Sequence, residues 1–281
     1  MQLSTERLEV TVLALRHALH TEQHRLKLFK QILQTVPLQL PTSNAAIKVL
    51  IFDAPGICRD SIDGLRRDLH SYLSPNYWIG VVDQTELRSG KWAHTYACLA
   101  LPHCSDAGAY QRLSQDAEAI RQIRDFVQNG GSFLGIGGGA FFASEKSNWI
   151  GHTKWTTTLA LWPGISNGPC LPGVGAHVHD FDLVDSDYDY RCYLFWEDGG
   201  EFIGGTSTSA LARYNDNKSV AGIRHVFGKG NVVLWHARLE YALTEKVLRD
   251  SGMQLQLEVI RSLPINGLST ETCIARRTMS P

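Results

Sequence analysis

One glycine-rich stretch constrains this chain more than any other: GSFLGIGGGAFFAS, from Gly131 to Ser144. An apolar run leads into a cluster of glycines, which is followed by small and aromatic residues. This order is typical of a strand that turns sharply into a helix. Two kinds of turn fit it: a phosphate-binding loop, or an elbow that presents a nucleophile at its apex.

Predicted strands and helices alternate on both sides of this stretch. Apolar, β-branched runs predict strands at IKVLIFD, YWIGVVD and YACLALP, and the spacing of Ile62, Leu65 and Leu69 predicts a helix between the first two. A second helix, AEAIRQIRDFVQ, should end at the Asn-Gly that follows it. After Ser144 shorter strands predominate, and SVAGIRHVFGKGNVVLWH predicts a hairpin. The alternation predicts an α/β fold with a mostly parallel central sheet and flanking helices.

Three parts of the chain differ in their patterns. Residues 1–44 are a predicted helical N-terminal extension and linker, whose apolar residues share one helical face. The compact domain is predicted over residues 45–262, with its last helix near 242–262, and residues 263–281 form a polar tail. We favour packing of the N-terminal helix on its own domain; a homodimer through this helix is the alternative.

Composition excludes several classes of function. A formal net charge of −1 and a pI near 6.8 provide no basic surface for nucleic acid. The six cysteines show no C-x-x-C spacing, which argues against a structural metal or a disulfide framework. The N-terminus lacks the apolar run of a signal peptide, and no stretch reaches the ~18 apolar residues of a membrane span. We expect a cytoplasmic protein that binds a small molecule and needs no cofactor, nucleic acid or membrane.

The phosphate-loop interpretation fails two tests. Gly135, Gly137 and Ala140 match G-x-G-x-x-A between a strand and a helix. In dinucleotide folds this motif follows the first strand, and an acidic residue comes ~20 residues later. Here at least three predicted strands come first, and no Asp or Glu lies between Glu145 and Asp180. We therefore prefer an elbow with Gly137 at its apex.

Six segments, in order, resemble one family over roughly residues 47–240: the N-terminal domain of biotin protein ligases and its stand-alone relatives, in the class I glutamine amidotransferase-like superfamily. VLIFDAPG resembles the family's opening strand and Pro-Gly turn, LALPHCSDAGAY resembles FPGGAD, and GGSFLGIGGGAFFAS resembles GGGYLGFCAGAYYAS. LWPGISNGPC resembles FPGTCRGP, YLFWEDGGEF resembles YYNGGGVF, and VLWHARLEY resembles LSGTHPEF. The resemblance implies a flavodoxin-like sandwich with its site at the carboxyl ends of the strands.

The chain departs from this family at the residues that carry its chemistry. Gly137 stands where the resemblance places the nucleophilic cysteine, and without a side chain there is no thiolate to attack an amide. The family's Pro-Gly-Gly loop carries His103 and Cys104 here, which should narrow or reshape the oxyanion hole. The family's His-x-Glu pair is matched to His236 and Glu240, which share a face if the chain is helical there. We expect neither a working glutamine amidotransferase nor a biotin ligase.

Three hypotheses remain open. We favour a non-covalent small-molecule enzyme in which His236 and Glu240 act as acid and base in proton transfer, cyclisation, dehydration or hydrolysis, because the chain is of stand-alone size with no ligase domain following. The second hypothesis is a catalytically inactive binding or scaffold subunit. The third is a hydrolase with Cys104 as a relocated nucleophile. The predicted ligand site lies over the bare apex and includes Gly137, Gly138, Gly139, His103, Pro55, Gly56, Trp196 and Trp235.

A metal centre is a further interpretation, which we do not favour. His177 and His179 would share one face of a strand, with Asp180 beside them. No third ligand is identifiable, and the surrounding aspartates are typical of a solvated edge. Glu197 and Asp198 either contribute a carboxylate to the pocket or form a turn.

Overall fold

Five parallel strands form the half of the sheet that carries the elbow. In the computed structural model they lie in the spatial order β2 (Tyr77–Val82), β1 (Ile47–Phe52), β3 (Cys98–Leu101), β4 (Ser132–Ile136) and β12 (Gly230–Trp235). Strands β3, β4 and β12 are buried along their whole length, as expected for parallel strands covered on both faces. The predicted α/β fold with a mostly parallel centre is confirmed.

Helices cover this half of the sheet. They are α1 (Arg59–Tyr72), α2 (Gln84–Ser89), α3 (Gln111–Gln115), α4 (Ala117–Gln128) and α5 (Gly138–Ala143), with short 3-10 turns at Lys91–His94 and Ala107–Tyr110. The face of α1 predicted to be apolar is buried, and α4 ends at Gln128 with Asn129 as its C-cap, as predicted. Successive strand residues alternate between the two core layers: Phe133 and Val232 pack on one side of the sheet, Leu134 and Val233 on the other.

The other half of the sheet is mostly antiparallel. Beyond β12 it continues with β11 (Val220–Phe227), β10 (Thr208–Tyr214), β7 (His177–Leu183) and β8 (Arg191–Trp196). A branch from β11 runs through β9 (Glu201–Gly204) and β6 (Trp162–Gly168) to β5 (Ser144–Trp149). The predicted hairpin is confirmed, because β11 and β12 pair antiparallel across a turn at Gly228 and Lys229.

The structure describes residue 25 and residues 47–72, 77–149, 158–171, 177–183, 191–197, 199–206 and 208–241. These residues belong to one compact unit, His24–Tyr241. The predicted N-terminal helix, the last helix near 242–262 and the polar tail lie outside them, so the domain boundaries stay a prediction. Within the described part, no helix is long and apolar enough to cross a membrane.

Candidate functional site at the elbow

The predicted elbow is present between β4 and α5. Gly137 has φ 51° and ψ −114°, a left-handed φ that favours glycine. Its N–H donates to the carbonyl of Trp235 at 2.8 Å, and its carbonyl accepts from the N–H groups of Ala140 at 2.9 Å and Phe141 at 3.1 Å. Contacts with β12 and with the first turn of α5 therefore fix the apex.

The space above the apex is already filled by the chain's own side chains. A Cβ on Gly137 would lie 2.2 Å from Nδ1 of His103, and a Cβ on Gly138 would lie 2.2 Å from Sγ of Cys104. Both distances are far below van der Waals contact. The imidazole therefore occupies the space directly over the bare apex, where the sequence interpretation places a ligand; that ligand site stays a prediction.

The last glycine of the run has a packing role of its own. A Cβ on Gly139 would lie 2.1 Å from the carbonyl oxygen of Leu101, the last residue of β3. This neighbour is backbone, which cannot rotate away as a side chain can. Glycine here lets α5 lie directly against the end of β3, and Gly137, Gly138 and Gly139 are all buried.

Two loops meet above the elbow, one after β1 and one after β3. Ile57 and Cys104 form an isolated antiparallel bridge, and the N–H of Ser105 donates to the carbonyl of Gly56 at 3.2 Å. Pro55 and Gly56 are exposed at the outer turn. These predicted ligand residues therefore lie on a surface turn joined to the opposite loop.

His103 spans the distance from the apex to a carboxylate. Its Nδ1 faces Gly137 and has no hydrogen-bond partner among the described residues, whereas its Nε2 lies 3.5 Å from Oε2 of Glu197. Its backbone N–H donates to Oγ of Ser61 at 3.0 Å. Burial, reinforced by the positive charge of Arg238, lowers the pKa of His103 to about 3. The imidazole is therefore neutral near pH 7.

Arg238 is a buried guanidinium that contacts three carboxylates. Its Nη1 lies 3.0 Å from Oε2 of Glu197, and its Nη2 lies 3.0 Å from Oδ1 of Asp60. Its Nε lies 3.2 Å from Oε1 of Glu240, which also accepts from Oγ of Ser61 at 2.6 Å. Burial opposes the charge, but Glu240 and Asp60 outweigh it and raise the pKa of Arg238 above its ordinary value. The guanidinium is charged and held at every nitrogen.

His236 lies two residues before Arg238 in a different environment. Its side chain is 1 % exposed, and its ring stacks on Phe202 at 4.0 Å and contacts Phe141 at 4.5 Å between centroids. Neither ring nitrogen has a hydrogen-bond partner among the described residues. Burial lowers the pKa of His236 to about 3, so this imidazole is also neutral near pH 7.

The predicted His236–Glu240 acid/base pair is wrong. The chain bends and turns over this stretch instead of forming a helix, and the Glu240 side chain is bound by Ser61 and Arg238. Setting VLWHARLEY against LSGTHPEF without a gap at the glutamate places Arg238 opposite the family's histidine and Glu240 opposite its glutamate. The sequence interpretation missed Arg238, and this gapless match was the signal available.

Cys104, the predicted nucleophile, is half-buried, and its thiol lies against Gly138. Burial raises the pKa of this thiol to about 12, and the neighbouring Cys58 and Asp106 raise it further. Because the thiolate is the reactive form, this shift disfavours attack by Cys104 near neutral pH. The relocated nucleophile stays a prediction.

Both predicted aromatic pocket walls are core residues. Trp196 and Trp235 are 0 % exposed and pack together with Leu134 and Val233 on one face of the sheet. Their assignment to a ligand site is therefore wrong. Glu197, by contrast, is partly exposed and contributes a carboxylate to the Arg238 cluster.

The remaining predicted residues are His177, His179 and Asp198. His177 and His179 are on β7, which confirms the strand, but their side chains and Asp198 lie outside the described part. Among described side chains, no group of three or more His, Cys, Asp or Glu is placed to hold a metal. Two surface cavities, of about 510 and 690 Å³, are lined by no elbow residue.

The fold and site together define a class. A crystal structure of a glutamine amidotransferase superimposes with a TM-score of 0.50 at 14 % identity, covering 73 % of this chain and 99 % of that one. The chain therefore has a glutamine amidotransferase-like fold. The family described as biotin-protein ligase, N terminal, matches residues 47–267, and the chain belongs to it.

Two curated proteins share parts of this sequence. The biotin–protein ligase of Schizosaccharomyces pombe is 27 % identical over 236 residues, which are 75 % of this chain and 36 % of that protein. An uncharacterized protein of Chlamydia muridarum is 24 % identical over 164 residues, 53 % of this chain and 62 % of that one. The chain thus spans less than two thirds of either relative.

Proposed function

We propose that this chain is a non-catalytic member of its family, acting as a binding or scaffold subunit. The observation that carries the proposal is the His103 imidazole, whose Nδ1 lies 2.2 Å from the position of a Cβ on Gly137. A catalytic elbow needs both a nucleophile at the apex and space for the reacting carbonyl beside it. In this chain the apex has no nucleophile, and the imidazole of His103 fills the space beside it.

The position matched to the family's histidine supports the same proposal. Arg238, opposite the family's histidine, is held by Glu197, Asp60 and Glu240. An arginine does not give up its proton in proteins, so it cannot act as a general base. His236 is enclosed by aromatic rings, and Glu240 is bound by Ser61 instead, which argues against the acid/base pair of the enzyme hypothesis.

A double-mutant cycle tests whether His103 fills the apex. We expect Gly137→Ala to lower the free energy of unfolding by about 2–4 kcal/mol, because the Cβ meets the imidazole and adopts an unfavourable φ. His103→Gly should recover part of that loss in the double variant. The measurement is urea denaturation followed by circular dichroism.

Gly204 offers a matched control. It also has a positive φ, of 80°, but a Cβ there would meet nothing within 4 Å. Gly204→Ala therefore carries the backbone cost alone, about 1 kcal/mol. Equal losses for Gly137→Ala and Gly204→Ala, or strict additivity with His103→Gly, would show that the imidazole does not occupy the apex.

A turnover assay tests the absence of catalysis. Purified protein is incubated with glutamine and, separately, with a metabolite extract followed by mass spectrometry. We expect no ammonia release above buffer, and no consumption of a metabolite that His236→Ala or Glu240→Ala abolishes. Turnover that disappears in Glu240→Ala, while circular dichroism shows a folded variant, would establish an enzyme instead.

A further inference from the structure

We propose that a small carboxylate carrying a flat, unsaturated ring binds in the cavity of about 510 Å³, at the amino ends of the central strands. The lining includes Lys48, near the start of β1, and Gly131, directly before β4. The elbow follows the other end of β4, so the two sites lie at opposite ends of the strands. Cavities of roughly 300–1,000 Å³ are typical of small-molecule sites.

The walls of this cavity are tied to the sheet by backbone hydrogen bonds. Tyr96, before β3, lines one side, and Asn129, after α4, lines the other. The N–H of Ala97 donates to the carbonyl of Lys48 at 2.8 Å, and the N–H of Ser132 donates to the carbonyl of Ala97 at 2.9 Å. The cavity is therefore largely pre-formed, as ligand sites usually are.

Lys48 places a positive charge on the inner face of β1. Side chains alternate along a strand, so Lys48 shares a face with Leu50 and Phe52, which are both buried in the core. Lys48 is itself partly buried. Its ammonium lies 5.9 Å from the centroid of the Tyr96 ring and, among the described residues, forms no ion pair or hydrogen bond. A partly desolvated cation without a counter-ion favours an anionic ligand.

The neighbouring rings favour an anion that carries a flat group. Because the ammonium lies over the Tyr96 ring, an acid bound to it has its remaining atoms beside the same ring. Trp78, paired in register with Lys48, extends this surface: its ring centroid is 5.8 Å from that of Tyr96, and it is 49 % exposed. An unsaturated ring of the ligand can stack here.

The charges around Lys48 favour a single negative charge on the ligand. Helix α4 ends beside the cavity at Gln128, and the carboxyl end of a helix carries partial negative charge. Asp125 also lines the cavity, although it pairs with Arg121 at 2.8 Å. Both features repel a dianion such as phosphate more strongly than a monocarboxylate.

The test is a titration of the full wild-type chain with benzoate, followed by ligand-observed NMR at pH 7.5. We expect saturable binding. Benzamide, which keeps the ring without the charge, and cyclohexanecarboxylate, which keeps the charge without the flat ring, should bind several-fold more weakly, as should inorganic phosphate. The proposal is overturned if benzoate does not bind below about 20 mM, or if phosphate binds more tightly than benzoate.

Two variants locate the binding site. Lys48→Met should raise the benzoate dissociation constant roughly tenfold, and Tyr96→Leu roughly threefold. Lys146→Met is the matched control, because Lys146 is an exposed lysine on β5 that does not line this cavity. Benzoate affinity that is unchanged in Lys48→Met, or reduced equally in Lys146→Met, overturns the proposal. The ligand comparison uses the wild-type chain alone, so it decides even if a variant unfolds. The outcome is independent of the elbow, where the Gly137 and His103 variants test the proposed function.

Discussion

His236 and Arg238 are two residues apart, and both are basic and buried. The imidazole is nevertheless neutral near pH 7, whereas the guanidinium is charged. His236 lies between the rings of Phe141 and Phe202 with no hydrogen-bond partner described for either nitrogen. Arg238 meets a carboxylate at each of its three nitrogens. The two side chains differ first in intrinsic pKa: the imidazole loses its proton when it is buried, whereas the guanidinium stays charged and is buried only together with carboxylates that compensate its charge.

The largest effect is expected from removal of the buried Arg238 guanidinium. We expect Arg238→Met to lower the free energy of unfolding by about 3–5 kcal/mol, because Glu240 is left as a buried charge without compensation. Urea denaturation measures the loss. Arg121→Met is the control: Arg121 pairs with Glu118 and Asp125 but is 57 % exposed, so its removal should cost no more than about 1 kcal/mol. Similar losses in both variants would contradict the comparison.

A smaller effect, of opposite sign, is expected for His236. His236→Leu removes two ring nitrogens without described partners from an aromatic environment and nearly preserves volume. It should raise the free energy of unfolding at pH 7.5 by about 1 kcal/mol. A decrease of that size would show that the imidazole makes a favourable polar contact.

The same variant tests the protonation state of His236 through the pH dependence of the free energy of unfolding. The pKa of His236 is about 3 in the folded protein, below the value of about 6.5 in an unfolded chain. As the pH falls below about 6.5, the unfolded chain takes up a proton that the native state refuses, so stability falls with pH down to about 3. His236→Leu should make this decline shallower by up to about 1.4 kcal/mol per pH unit, with the contribution of His103 remaining. Equal slopes between pH 6 and 4 in denaturation series would contradict a buried, neutral His236.

The smallest expected effect concerns Cys104, a half-buried thiol. With its pKa raised to about 12, the thiol should not react with iodoacetamide at pH 8 in the folded protein. Peptide mass spectrometry before and after unfolding gives the labelled fraction, with Cys104→Ser as the blank. Rapid labelling in the native state would support the relocated-nucleophile hypothesis.

Local patterns predicted the elbow and most of the elements around it. The alternation of strands and helices along the chain, the helical spacing on α1 and the glycine run are all properties of neighbouring residues. The structure contains each of them. The occupant of the apex is not local. It depends on a loop some thirty residues earlier in the chain, from which the side chain of His103 points at Gly137.

The interpretation of His236 and Glu240 failed for a related reason. A spacing of four residues indicates one face only if the chain is helical, and here it bends after β12. The residue type also misled, because a histidine near a glutamate suggests acid/base chemistry whatever its surroundings. Only the structure distinguishes the histidine in the core from the arginine that contacts Glu240.

The contact between His103 and Gly137 also has a consequence for engineering. The imidazole and a side chain at the apex compete for the same space, so a cysteine introduced at residue 137 alone would meet the ring. Any attempt to place a nucleophile at this elbow must therefore change residue 103 as well.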